Sequence, residues 1–351
     1  MPRLLGEEFL VAEGISLPTD QTYVPVSISD EGLLLYSSGA GGDRVAQIVW
    51  YDRAGNLLSS VSAGAIRYPA ISPDEKTVAF QRLASVTASD LWLRDNRGSE
   101  ARFTTDVSAN ATPFWSPRGD RIVFASNRKG GVYNLYRKAT NGNGKEKDEL
   151  LLETGNAKFP SQWSRDGRFI VYLEADPKTK QDIWVLPVEG SAAPGSSEMK
   201  ARPYVHTEFN EVFGQLSPDS RWMAYTSDES GHREVYVRPF PGAESKSNIS
   251  VSGGQEPRWR GDGKEIFFKA ADGKMMAARV RPNVGTKTPF QVDTPHALFD
   301  AHMARGARDV LYEYDVTADG KRFLVLNTNA PAPASAPPLT VVVNWSAGIK
   351  K

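Results

Sequence analysis

The sequence predicts an all-β fold: a seven-bladed β-propeller of four-stranded antiparallel blades, with six blades as the alternative count. Three observations predict it. A short polar turn recurs seven times, at steps of 43, 44, 48, 53, 43 and 57 residues, the period of a propeller or solenoid. β-branched and aromatic runs of strand length flank the turns. Helix-period patterning is almost absent, and 23 prolines with 30 glycines suit a chain that turns every few residues.

The turns are Ser29-Asp30-Glu31-Gly32, Ser72-Pro73-Asp74-Glu75, Ser116-Pro117-Arg118-Gly119, Ser164-Arg165-Asp166-Gly167, Ser217-Pro218-Asp219-Ser220, Arg260-Gly261-Asp262-Gly263 and Thr317-Ala318-Asp319-Gly320. A Ser or Asp oxygen there can accept from nearby backbone N–H groups and Gly accepts positive φ, so each reads as a tight hairpin. Runs such as ATPFW, FPSQW and EPRW precede the turns. RIVFAS, FIVYLE, WMAYTS, EIFFKA and RFLVLN follow them, starting at Arg121, Phe169, Trp222, Glu265 and Arg322. A third run comes next (QIVWYDRAG from Gln47, DLWLRDNRG from Asp90, DIWVLPVEG from Asp182), then a more polar fourth (LLSSVSAG from Leu57, ARFTTD from Ala101). Four strands of falling apolarity describe a blade, innermost strand first. The blades are expected at about 22–64, 65–108, 109–155, 156–208, 209–252, 253–302 and 303–351 of a single domain spanning 1–351. The last of these has VLYEYDV, RFLVLN and LTVVVNW but no fourth strand, so EFLVAEG at 8–14 is expected to complete it and close the ring.

Composition bounds the function. With 42 basic and 42 acidic side chains no field of one sign exists to draw nucleic acid or an anionic membrane. The absence of cysteine excludes disulfides and thiolate chemistry. No signal peptide or membrane span is visible, so direct membrane insertion is not expected. The insertions at 141–149, 190–202 and 329–338 read as solvated loops. Trp115, Trp163 and Trp259 precede the turn at equivalent positions, which reads as packing between blades.

Laid out this way, the chain resembles the TolB-type, WD40-like propeller family, whose blades carry a Trp-Ser-Pro-Asp-Gly turn. The matching residues are Trp115-Ser116-Pro117-Arg118-Gly119, Trp163-Ser164-Arg165-Asp166-Gly167, Leu216-Ser217-Pro218-Asp219-Ser220 and Ile71-Ser72-Pro73-Asp74-Glu75. EVYVRPFPG from Glu234, GGQEPRWRGDGKEIFF from Gly253, YDVTADGKRFLV from Tyr314 and the ending LTVVVNWSAGIKK look like the C-terminal extracytoplasmic propeller of bacterial receptor-type serine/threonine kinases. That resemblance implies a periplasmic or extracytoplasmic sensor or scaffold module. The kinase domain is absent: no G-x-G-x-x-G loop, His-Arg-Asp or Asp-Phe-Gly occurs.

The same family caps prolyl-oligopeptidase-type peptidases, yet the sequence has no G-x-S-x-G elbow. The four histidines, His206, His232, His296 and His302, read as surface residues. His296, Asp300 and His302 share one segment without metal-ligand spacing, so no metal and no cofactor is expected. The expected function is therefore a non-catalytic binding module for a protein, peptide or small-molecule ligand, acting as a monomer without nucleic acid. The alternative is a hydrolase or lyase with an unrecognised site at the channel mouth. Ligand contact is expected on the loops leading into the innermost strands, where all blades converge. Counting back from each turn gives Tyr23, Arg67, Tyr68, Asn110, Lys158, Phe159, Asn210, Glu211, Gln255, Glu256, Tyr312 and Glu313.

Overall fold

The computed structural model describes residues 26–29, 33–37, 46–85, 87–141, 146–188, 200–242, 245–282, 290–301, 303, 312–327 and 339–343. They fall into two units, Met1–Val45 with Asn329–Lys351, and Ala46–Thr328.

In the first unit β1 (Val26–Ile28) and β2 (Leu33–Ser37) form a hairpin. The turn behaves as its sequence predicts: Ser29 N–H donates to the Leu33 carbonyl and Leu33 N–H to Ser29 Oγ. The second unit begins with β3 (Ala46–Asp52) and β4 (Leu57–Gly64), considered below.

Five blades then follow in chain order. Blade 1 is β5 (Ile66–Ile71), β6 (Thr77–Leu83), β7 (Ser89–Asp95) and β8 (Glu100–Arg102). Blade 2 is β9 (Asn110–Trp115), β10 (Arg121–Ser126), β11 (Asn134–Ala139) and β12 (Glu149–Leu152). Blade 3 is β13 (Ala157–Trp163), β14 (Phe169–Asp176), β15 (Lys180–Pro187) and β16 (Arg202–Val205). Blade 4 is β17 (Glu211–Leu216), β18 (Trp222–Ser227), β19 (Glu234–Pro239) and β20 (Ser247–Asn248). Blade 5 is β21 (Gln255–Trp259), β22 (Glu265–Lys269) and β23 (Lys274–Pro282), with β24 (Phe290–Val292) and β25 (His296–Asp300) both pairing β23.

The sixth blade joins the two ends of this unit. β26 (Tyr314–Val316) and β27 (Arg322–Asn327) supply its inner half, and β3 and β4 its outer half, in the order β26-β27-β3-β4. Arg322 pairs with Asp52 and Asn327 with Gln47 at the two ends of the β27–β3 ladder. β28 (Leu339–Val343) instead pairs with β2 in the first unit.

Six blades are thus present, the alternative count, rather than seven. The segments expected as a first and a last blade contribute two strands each to one blade, and their remaining strands form the three-stranded sheet β1-β2-β28. The ring is closed by β3 on β27. The strand expected at 8–14 lies outside the described residues.

Most turns after an inner strand are built alike, the exceptions being Ser116, which donates to Asp120, and Arg260, which donates to Asp262. Ser72, Ser164 and Ser217 donate through Oγ to the carboxylate two residues on, and accept from the backbone N–H that opens the next strand. The fourth turn residue is left-handed, and Glu75 (φ 58°) and Ser220 (φ 55°) take that conformation without being glycine. Four residues before the turn, Tyr68, Thr112, Phe213 and Glu256 also have positive φ, where the inner strand slips register against its neighbour. These are β-bulges, which re-aim side chains at the rim of a barrel or ring.

Inner strands of neighbouring blades are stitched together around the axis. Trp115 Nε1 donates to the Ala70 carbonyl and Trp259 Nε1 to that of Gln215, while Trp163 Nε1 donates to Gly167 in its own turn and its ring packs with Val123 and Leu135 of blade 2, so all three indoles pack between blades as expected. The Gln162 amide bonds both backbone groups of Leu216, and Asp315 Oδ2 accepts from Ile71 N–H. Between blades lie apolar clusters; the one at the closing blade gathers Val49, Phe267, Met275, Phe323 and Val325, all nearly inaccessible.

Candidate functional site at the turn side of the axis

The starts of the inner strands form one mouth of the axis, and the structure places the expected residues there mostly inside the seams between strands and blades. Tyr23 lies outside the described residues. Asn110 donates to the Ser89 carbonyl and accepts from Arg128; Lys158 Nζ is buried against Asn134 Oδ1 and the Asn156 carbonyl. Asn210 pairs with Asp228 through side chain and backbone. Burial drives the Tyr68 hydroxyl well above its ordinary value, and Phe159 rests against Tyr133 at 5.0 Å. Arg67, Phe159 and Asn210 are half-buried, whereas the other described members of this set are buried.

Three members do meet. Glu256 and Glu313, from blades 5 and 6, share the buried Lys269 ammonium at 3.6 and 2.5 Å, and Gln255 Nε2 donates to Glu256. Glu313 N–H donates to Glu256 Oε2, and Tyr314 donates to the Glu256 carbonyl. Burial, with Glu313 adding to it and Lys269 opposing, holds the Glu256 carboxyl above its usual range. Glu211 stands apart in blade 4. Burial, reinforced by Asp182 and Glu229, pushes it up to about 7 against the Thr207 hydrogen bonds, and Oε2 has no partner among the described residues.

That shift carries a pH signature. The folded state holds the Glu211 proton more tightly than the unfolded chain, so stability falls as pH rises from the ordinary value of 4.5 through about 7. Glu211→Gln is expected to raise the melting temperature by a few degrees at pH 8 and to leave it unchanged at pH 4.5. An equal shift at both pH values in thermal melts would contradict this.

The axial recess opens at the other mouth, where the inner strands end. It is a cavity of about 420 Å³ lined from all six blades, including Ile71, Phe114, Gln162, Gln215, Arg258 and Asp315. Its floor is aromatic. Tyr312 reaches across the axis, with ring centroids 5.4 Å from Phe114 and 4.8 Å from Phe213, and its hydroxyl accepts from Gln215 Nε2. None of the residues expected to contact ligand lines this recess; Tyr312 comes nearest, buried behind Phe114 and Arg258, which do line it. Above the Tyr312 ring, at 4.0 Å, lies the Arg258 guanidinium, with side-chain exposure of 6%. Asp315 stands 3.5 Å from Arg258 Nε. Burial raises the Asp315 carboxyl above the usual range, Arg258 and two backbone N–H donors opposing.

Arg258 and Asp315 escape a count-back to the strand starts because they lie two residues before the turn. The informative signal was a charged residue within an otherwise apolar inner strand.

The histidines do not converge. His206 meets Asp182 at 3.0 Å and His232 meets Glu234 at 2.8 Å on the outer parts of blades 3 and 4. His296 lies on β25, exposed, and His302 is outside the described residues. Among the described residues no group of three or more acidic or histidine side chains could hold a metal. No helix of the described residues is long and apolar enough to cross a membrane.

A ring of six antiparallel blades among the described residues, five of four strands and one of five, sealed by strands from both ends of one unit, defines a β-propeller. Its fold is similar to that of solved TolB propellers. A putative TolB from Agrobacterium tumefaciens has a similar structure, with TM-score 0.57 and 16% identity over 81% of this chain and 98% of that one. TolB from Acinetobacter baumannii is similar with TM-score 0.53 and 12% identity, over 86% of this chain and 78% of that one. In sequence, the chain is 24% identical over 210 residues to the uncharacterized peptidase YuxL of Bacillus subtilis (strain 168), which covers 48% of this chain and 31% of that protein. The chain thus spans less than a third of that relative. No family model matches the sequence.

Proposed function

We propose that the protein is a non-catalytic binding module, a sensor or scaffold, whose protein or peptide partner docks over the axial recess. One observation carries this reading: the recess draws side chains from all six blades onto a rigid frame and sets a buried charge at its floor. Its lining sets oriented polar groups such as Gln162, Gln215, Arg258 and Asp315 among apolar ones such as Ile71 and Phe114, a mixture that suits ligand binding. The residues there offer cationic and hydrogen-bonding contacts rather than a nucleophile beside a base. The opposite mouth is the second candidate face, where Arg67, Phe159 and Asn210 are half-buried.

The other reading is a hydrolase or lyase, to which the peptidase name of the partial relative points. The missing G-x-S-x-G elbow weighs against it.

Benzoylphenylalanine placed at Gln162, at Phe159 and at the exposed Val251 distinguishes the faces by photo-crosslinking in the protein's own cells. A specific adduct at 162, absent at 251, is expected. The same adducts from all three positions, or turnover of chromogenic peptides by the purified protein, would sink the proposal.

A further inference from the structure

Arg258 is under-partnered for a buried guanidinium. Nη2 donates to the Tyr314 carbonyl at 3.3 Å, Nε is buried with no hydrogen-bond partner among the described residues, and Nη1 forms no hydrogen bond among them. A buried donor left unsatisfied is costly, and a guanidinium presents a planar fork that matches a carboxylate through two parallel hydrogen bonds. Asp315 does not supply that match. Its Oδ2 is taken by Ile71 N–H and its Oδ1 by Val316 N–H, which leaves Oδ1 3.5 Å from Nε. The guanidinium plane is held from the other side by Tyr312 at 4.0 Å and Phe114 at 5.4 Å, so it is fixed before any ligand arrives. Of the other charges of the recess, Glu75 is committed to Arg322 and to Ala318 N–H, and Arg165 is exposed, with Nη1 on the Gly261 carbonyl, so it is hydrated where Arg258 is not.

We infer that Arg258 is the receptor for a free carboxylate at the C-terminal end of a peptide chain. The inference rests on the reading that this recess is the binding face. A chain end fits better than an acidic side chain within a continuous strand. Behind Phe114, which lines the recess, lie the buried Tyr312 and Phe213 rings; the three rings, from three blades, pack together and leave a continuous strand no way through. At about 420 Å³ the recess admits a chain terminus rather than a folded domain.

The test uses fluorescein-labelled randomised hexapeptides in three pools, with free-acid C-termini, with amidated C-termini, and amidated with one fixed internal aspartate. Polarisation is read against the full chain up to millimolar protein. The free-acid pool is expected to bind about tenfold more tightly than either amide pool. Arg258→Met should abolish the difference. Because that variant removes a buried group, Asp315→Asn gives an independent reading: it keeps a backbone acceptor, removes the competing charge, and should tighten free-acid binding. Equal binding of the free-acid and aspartate pools would overturn the chain-end assignment. Equal binding of all three pools, blocked by Gln162→Trp, would overturn the carboxylate inference while leaving the binding face intact. No binding by any pool would overturn both.

Discussion

Lys269→Met is expected to lower the melting temperature by roughly 10 °C at pH 8 and by clearly less at pH 5. The lysine is fully buried, and its ammonium is shared by Glu313 and Glu256, which belong to adjacent blades. Removing one partner of a buried ionic group leaves charge uncompensated, which costs about 3–5 kcal/mol. The pH dependence follows from the carboxyls. Glu256 is already held above the usual carboxylate range by burial and by Glu313, and loss of the cation that opposes this raises it further. A raised value means that the folded state binds more protons than the unfolded chain, so stability falls as pH rises through that window and returns as pH is lowered. Glu256→Gln combined with Lys269→Met should recover part of the loss at pH 8. Thermal melts at the two pH values decide it: a variant equally destabilised at both would mean that the lysine acts by packing alone.

How much of this was legible in the sequence depends on the range of the interaction involved. Turn chemistry is local, and six of the seven turns follow the inner strands of the blades, because short runs of Ser, Thr, Asp and Gly tie up their own backbone wherever they occur. The seventh, Ser29 to Gly32, makes an ordinary hairpin in a three-stranded sheet, since a turn specifies two strands and not a blade. QIVWYDRAG and LLSSVSAG were recognised as third and fourth strands, which is what they are. The first of them pairs with β27, about 270 residues away in sequence, and no local pattern encodes that pairing. The site was harder for the same reason. Tyr312 earns its place by reaching Phe114, Phe213 and Arg258 in three other blades. Glu256 and Glu313 meet over Lys269, which comes from a second strand that a search of inner-strand starts does not visit.

Closure by β3 and β4 gives the largest expected effect on folding. A fragment of residues 46–328, the second unit by itself, is expected to fold cooperatively, because it contains every strand of the six blades. A fragment of residues 65–328 lacks β3 and β4. It then leaves β27 as an edge along Arg322 to Asn327, with its ladder to Asp52 through Gln47 lost. It also uncovers Phe80 and Ile66, which pack with Ile48, Val61 and Leu324, and Phe323 and Val325, which pack with Val49 and Tyr51. Burying side chains of this kind is worth about 1.5–3 kcal/mol each, so the loss is comparable to the roughly 5–15 kcal/mol that holds a typical domain folded. An exposed apolar edge is also a template for intermolecular pairing. The shorter fragment should therefore aggregate or show no cooperative transition, while the longer one stays soluble with a single melt. Calorimetry and light scattering on the two fragments decide the point: a 65–328 fragment that melts within a few degrees of 46–328 would show that the ring does not need the strands that close it.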